Sequence, residues 1–165
     1  LTYSGSFKNG KFNGTGRIAL ADGGGYNGEF MDGVYHGTGV LKMEDGTEFE
    51  GDFVRGFAEG DMEIRFPSGA SYSGKLTVRL SCDMNQMNCS KNSVYQGYGI
   101  LSNSSGDRFE GQFKDGQRHG NGVMVTASGI RLEGEWKEDQ RWNLVAYDPD
   151  GSQRGRYGDG IWKSP

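Results

Sequence analysis

The stretch YNGEFMDGVYHGTGVLKMEDG, residues 26–46, decides how the whole chain is read. In Tyr26-Asn27-Gly28-Glu29-Phe30, positions 26, 28 and 30 point to one face of a strand, and 27 and 29 to the other. Met31-Asp32-Gly33 supplies a turn, with Gly33 free to take positive φ. The return arm Gly37-Thr38-Gly39-Val40-Leu41-Lys42-Met43 alternates again, which places Gly37, Gly39, Leu41 and Met43 on one face. Asp45-Gly46 turns the chain once more, a strong hairpin signal. The stretch therefore reads as one β-hairpin followed by a connecting turn.

The same phrase recurs along the chain. Gly5, Gly28, Gly51, Gly74, Gly111 and Gly134 follow one another at steps of 23, 23, 23, 37 and 23. Gly14, Gly37, Gly60, Gly97 and Gly120 repeat the pattern, as do Gly23, Gly46, Gly69, Gly106 and Gly129. A fixed period seen in three registers is the signature of a repeat array. Counting a shortened last unit, the array holds about seven hairpins, hence about fourteen strands. The fold expected is all-β, an elongated single-layer antiparallel sheet of stacked hairpins over residues 1–165.

Glycine weakens a strand unless its missing side chain is used. Here the glycines leave a hollow across which rings such as Tyr26, Phe30, Phe49 and Phe53 can lie, and aromatic cover stabilises strand glycines. A lone hairpin is marginal in water, so the units must stack to bury those rings. Composition agrees: 30 Gly stand beside 9 Phe, 8 Tyr and 3 Trp, with 33% hydrophobic residues. That is too little for a thick globular core and too aromatic for a linker.

The chain carries 18 basic and 22 acidic side chains, net −4, scattered rather than blocked. This charge disfavours nucleic acid as a partner. Two cysteines are too few for a secreted disulfide framework, so a cytoplasmic location is the default expectation. Leu1 in place of Met is expected to mark a fragment.

Between Leu76 and Gly97 lie 20 residues, where the first unit has 6 between Phe7 and Gly14. Residues 77–96 thus form a long hairpin insertion in the fourth unit. Leu76, Val78, Leu80 and Cys82 alternate with polar neighbours, which extends the first arm toward a polar tip, CDMNQMNCSKN. Carrying the register outward from a Leu76–Gly97 pair leaves Cys82 and Cys89 out of line, so both read as free thiols on a projecting loop. Residues 137–165 form atypical capping units: aligned by the 23-residue step with Gly120 and Gly122 stand Asn143 and Val145.

Several fragments imitate chemical motifs. Gly5 to Lys11 has phosphate-loop spacing, but Phe12 stands where Ser or Thr is needed. His36 and His119 occupy equivalent repeat positions without a ligand cluster and read as turn-flank residues. Glu29, Asp52 and Glu135 share one repeat position and read as a solvated face rather than an acid/base pair, which needs a cleft. The expectation is no catalysis, no metal and no cofactor.

The motif Tyr/Phe-x-Gly-x-Phe/Trp, then Gly, then Gly-x-Gly, then Asp/Ser-Gly resembles the MORN repeat (membrane occupation and recognition nexus). The resemblance rests on YNGEFMDGVYHGTGVLKMEDG, FEGDFVRGFAEGDMEIRFPSG, FEGQFKDGQRHGNGVMVTASG and LEGEWKEDQ and spans nearly the whole chain. It implies a twisted single-layer sheet with an aromatic groove, in scaffold or targeting modules that hold a partner segment. Such modules serve cytoskeletal, ciliary or membrane-junction assemblies. The family's fifth motif position is usually Trp, whereas Phe7, Phe30, Phe53 and Phe113 occupy it here and only Trp136 conforms. Gly60-Asp61-Met62 replaces Gly-x-Gly in the third unit, so its groove floor should be partly filled.

The leading expectation is a scaffold that binds a helical or extended protein segment. Tyr26, Phe30, Phe49, Phe53, Tyr72, Phe109, Phe113 and Trp136 would serve as desolvated anchors. Phospholipid binding through Lys8, Arg55, Lys114 and Lys137 is an alternative, opposed by the acidic net charge. A regulatory module of a larger enzyme is another, and homodimerisation through the C-terminal units stays open.

Overall fold

Each glycine-rich phrase folds as an antiparallel hairpin. In chain order the strands are β1 (Thr2–Lys8), β2 (Lys11–Ala19), β3 (Gly25–Met31), β4 (Val34–Lys42), β5 (Glu48–Val54), β6 (Phe57–Arg65), β7 (Ser71–Thr77), β8 (Cys82–Asp83) and β9 (Asn88–Cys89). They continue with β10 (Tyr95–Ser102), β11 (Arg108–Lys114), β12 (Gln117–Val125), β13 (Arg131–Lys137), β14 (Gln140–Tyr147), β15 (Gln153–Gly158) and β16 (Ile161–Lys163). The computed structural model describes residues 1–77, 82–83, 88–89 and 94–165, and among these there is no helix. All strands except β8 and β9 belong to one open antiparallel sheet of 14 strands, each beside its neighbour in sequence. The stacked-hairpin expectation therefore holds.

The hairpin ends follow from backbone sterics. Asp32 (φ 52°) and Gly33 (φ 90°) are both left-handed, as are Arg55 and Gly56, and Asp115 and Gly116. Two successive positive φ values make the type I′ turn whose twist matches the strands. Each turn is also stitched to the preceding hairpin. The Gly33 amide donates to the Phe12 carbonyl at 2.9 Å, Gly56 to Tyr35 at 2.8 Å and Gly116 to Tyr95 at 3.0 Å. The connecting turns are of another kind: Gly46 (φ 84°) donates to Met43, whose own amide donates to the Thr47 carbonyl.

The return arm differs from expectation at both ends. β4 begins at Val34, so it includes Tyr35, and it stops at Lys42. Within it, Phe30 pairs with Tyr35 and Gly28 with Gly39, leaving three residues, His36 to Thr38, across from Glu29 alone. This bulge recurs at the same place in the first, third and fifth hairpins. Gly37 (φ 58°), like Gly14, Gly60, Gly97 and Gly120, is left-handed. The second glycine series therefore serves backbone conformation, not the groove floor.

The sixth hairpin departs by one residue. Trp136 pairs with Arg141 and Gly134 with Leu144, so only Trp142 and Asn143 face Glu135. Alignment by the 23-residue step had placed Val145 at the floor position. The shortened bulge puts Leu144 there instead, 3% exposed. In the insertion, β8 and β9 set Cys82 opposite Cys89 and Asp83 opposite Asn88. The offset expected between the cysteines is thus corrected, because this ladder closes in its own register. The expected extension of the first arm through Val78 and Leu80, and most of the polar tip, lie outside the described residues.

Among the described residues, contacts divide the chain into two units, the first built on Leu1–Ser68 and the second on Gly69–Gly74 and Val94–Pro165. Alternation gives each unit its core. Ile18, Tyr26, Phe30, Tyr35, Leu41, Phe49, Phe53, Met62 and Ile64 are buried in the first. Tyr72, Phe109, Phe113, Leu132, Trp136, Leu144 and Ala146 are buried in the second.

Candidate binding surface

One face of the sheet is built from rings laid on glycine. In the first unit Gly28 and Gly39 are cross-strand partners. A Cβ on Gly28 would come 2.6 Å from the Gly39 Cα and from the Tyr26 hydroxyl, and one on Gly39 would run into the Tyr26 ring. The Tyr26 ring therefore lies flat across both. Its hydroxyl reaches the Glu29 carbonyl at 3.2 Å and the His36 carbonyl at 3.3 Å, which satisfies its donor at the bulge. Tyr35 stacks on Tyr26 at 3.9 Å, while Phe30 and Phe53 meet Tyr26 edge-on at 5.1 and 5.2 Å. Tyr3, Phe12 and Phe30 repeat the same set, stacked at 3.8 Å and edge-on at 5.4 Å. Such pairs add about 0.5–1.5 kcal/mol each beyond area burial.

The second unit repeats the construction. Tyr72 covers Gly74 and Gly99, stacks on Tyr95 at 3.9 Å and meets Phe113 edge-on at 5.5 Å. Phe109 covers Gly111 and Gly122 and meets Trp136 edge-on at 5.3 Å. In this hairpin Arg118 takes the stacking place, its guanidinium 4.7 Å from the Trp136 ring centroid. Its Nε donates to Asp139 Oδ1 at 2.8 Å, and its Nη2 to the Asp139 carbonyl at 3.1 Å. That clamp holds Asp139 at φ 65°, where the other hairpin turns among the described residues have glycine. In the third hairpin Ala58 fills the stacking place, and the Met62 sulfur lies where a Gly51 side chain would go. The floor there is filled, as the sequence implied.

All eight expected anchors lie on this face: Tyr26, Phe30, Phe49, Phe53, Tyr72, Phe109, Phe113 and Trp136 are 0–4% exposed. They form the core of the layer. Phe12, Tyr35, Tyr95 and Arg118 belong to the same construction and were missed. A signal existed: Phe12, Tyr35 and Arg118 each stand five residues after the fifth motif position. Burial pushes the Tyr35 phenol up to about 12 and raises Tyr95 as well. Tyr26 is raised further by burial, with Tyr35 and Glu29 adding to it. All three are neutral donors near pH 7.

The opposite face is charged. Lys42–Glu48 (3.3 Å), Arg65–Glu50 (2.9 Å), Arg108–Glu110 (2.7 Å) and Arg131–Glu133 (2.6 Å) pair across it in partly exposed positions worth little individually. Glu29, Asp52 and Glu135 are exposed: Asp52 accepts from the Thr38 hydroxyl, and Glu135 from the Asn143 amide. Lys8, Arg55, Lys114 and Lys137 are exposed at hairpin ends. His36 and His119 sit at the bulges, and among the described residues no group of three metal-ligating side chains converges.

In the last two hairpins a depression of about 430 Å³ opens. Leu132, Ala146, Tyr157 and Trp162 form its walls, with Arg141 and Arg154 beside them. Trp162 covers Gly155 and is 41% exposed.

The family model of the MORN repeat matches residues 3–25, 26–48 and 109–131. These are the hairpins in which a glycine pair under a ring is intact and uninterrupted (Gly5/Gly16, Gly28/Gly39 and Gly111/Gly122). MORN repeats are a non-enzymatic module of protein or membrane interaction. Among solved structures the chain is similar to the SAS-4 (dCPAP) TCP domain in complex with a proline-rich motif of Ana2 (dSTIL) of Drosophila melanogaster. That likeness has a TM-score of 0.49 and 11% identity, covering 85% of this chain and 69% of the other. No curated protein matches the chain.

Proposed function

We propose that this chain is a non-enzymatic scaffold that holds a helical or extended segment of a partner protein against its ring face. The observation that carries the reading is the contrast between the faces. One is a ladder of rings fixed at 3.8–6.1 Å spacings on a glycine floor, and the other is an exposed lattice of ion pairs. A rigid aromatic surface loses little entropy on binding, which is where interfaces find their anchors. Tyr26, Phe30, Phe49, Phe53, Tyr72, Phe109, Phe113 and Trp136 set the relief of that surface, and Phe7, 61% exposed, offers a ring directly.

The test is affinity capture with mass spectrometry, comparing wild type with a Phe30→Leu/Phe53→Leu variant shown by circular dichroism to be folded. Leucine keeps the positions apolar and removes the ring relief. A partner lost by the variant and kept by wild type is the expected result. Equal capture by both would move binding off this face. Capture of anionic vesicles in place of protein, lost at high salt, would replace the protein segment with a membrane.

A further inference from the structure

The depression in the last two hairpins lies where the ring construction is interrupted. Every earlier hairpin begins its first arm with a ring at the place two residues before the floor glycine: Tyr3, Tyr26, Phe49, Tyr72 and Phe109. The sixth has Leu132 there, and the seventh has Gln153, exposed, with Arg154 turned to the cavity by the irregularity between Ala146 and Tyr147. The stacking place, filled elsewhere by Phe12, Tyr35, Ala58, Tyr95 or Arg118, holds Arg141 and then the exposed Trp162. Leu132 fills the ring's place in the sixth hairpin, the seventh has no ring at Gln153, and the depression of about 430 Å³ opens beside Leu132 and Arg154.

The charges point the same way. Arg118 is matched by Asp139 of the following turn, in an ion pair of 2.8 Å. Arg141 occupies the same place one hairpin later, but the corresponding turn residue is Gly160. Arg141 donates to the Tyr157 hydroxyl at 3.1 Å and, among the described residues, is paired with no carboxylate. Arg154 reaches Asp148 only at 3.5 Å. The site thus has an apolar floor of Leu132 and Ala146, aromatic walls of Tyr157 and Trp162, and a guanidinium without its anion.

We infer that this depression docks an acidic protein segment. One aromatic side chain of the partner takes the place of the missing ring, and a flanking carboxylate pairs with Arg141 as Asp139 pairs with Arg118. Edge-on contact with Tyr157 and Trp162 would match the geometry in which Phe30, Phe53 and Phe113 meet their neighbours, and guanidinium–carboxylate pairing would set register. The inference rests on the interaction-module reading but uses a different surface from the regular hairpins.

The test is isothermal titration of the 1–165 chain with an acetylated, amidated pentapeptide Glu-Asp-Phe-Asp-Glu. The same peptide with Ala for Phe, and Lys-Lys-Phe-Lys-Lys, serve as controls. The acidic Phe peptide is expected to bind and both controls to bind at least about tenfold more weakly. Arg141→Gln should weaken the first peptide about tenfold. Trp162→Ala, which removes an exposed wall of the site, should also weaken it with Tm little changed, so lost binding there is not lost folding. Phe30→Leu/Phe53→Leu should leave it unchanged. Absence of binding, equal binding of the Ala or Lys peptide, or indifference to Arg141→Gln would overturn the inference. Loss only in Phe30→Leu/Phe53→Leu would overturn it too, while supporting a groove on the regular hairpins. A concentration-dependent dimer abolished by Trp162→Ala would assign the depression to a second copy instead.

Discussion

The hairpins β3–β4 and β13–β14 solve one problem in two ways. In β3–β4 a flat ring, Tyr26, lies over two glycines, with Tyr35 stacked above it and three residues bulged against one. In β13–β14 Leu132 replaces the ring, Leu144 replaces the floor glycine, Arg141 replaces the stacking ring, and the bulge loses a residue. Ring plus glycine and leucine plus leucine fill comparable volume, which is the kind of exchange a close-packed layer accepts. The floor glycines are thus a consequence of the flat ring above them, not a requirement of the sheet.

The largest expected effect comes from mixing the two solutions. Gly39→Leu drives a side chain into the Tyr26 ring and should abolish the urea transition of the first unit. Tyr26→Leu/Gly39→Leu, which copies the leucine pair of β13–β14, should regain cooperative unfolding. A double variant as damaged as the single one would mean the two hairpins are not equivalent. Next, Phe53→Ala should cost about 3–5 kcal/mol in urea denaturation, since Phe53 is 1% exposed and meets both Tyr26 and Tyr35. Phe7→Ala, at the same repeat position but 61% exposed, should cost under about 1 kcal/mol.

The ring face also makes stability depend on alkaline pH. Burial raises the Tyr35 phenol to about 12 from its ordinary 10, so the folded state holds the proton that the unfolded chain releases. Its contribution is whole below about pH 10 and is lost as pH rises from 10 to 12, on the order of 2 kcal/mol. Denaturant midpoints across pH 9–12 should fall with a phenolate rise at 295 nm, and Tyr35→Phe should flatten the fall. An unchanged slope in that variant would remove Tyr35 as the cause. The smallest effect tests the bulge. Inserting one Gly between Trp142 and Asn143 restores three residues opposite Glu135 and should change stability by less than about 1 kcal/mol. A large loss would show that Asn143 is locked by its bonds to Glu135 and to the Asp159 amide.

Much of this surface was legible beforehand. Tyr26 over Gly28 and the filled floor at Met62 followed from alternation and period. Phe12, Tyr35 and Arg118 did not, although their spacing repeats, because each joins the face from the far side of a bulge whose length strand rules do not supply. The single-residue slip at Asn143 was hidden for the same reason: constant sequence spacing was taken for constant structural spacing. The missing ring at Gln153 is legible only against the places where the neighbouring hairpins carry theirs.

The sequence by itself determined the period, the places of the turns, the antiparallel stack and the face on which rings meet glycine. These depend on side-chain alternation and on dihedrals of consecutive residues, which are local. Tertiary structure alone decided which glycines bend the backbone and which lie under rings, which residues stack, and where a ring is missing. Those depend on atoms carried by adjacent strands, whose register a bulge can shift without leaving a mark in the repeat.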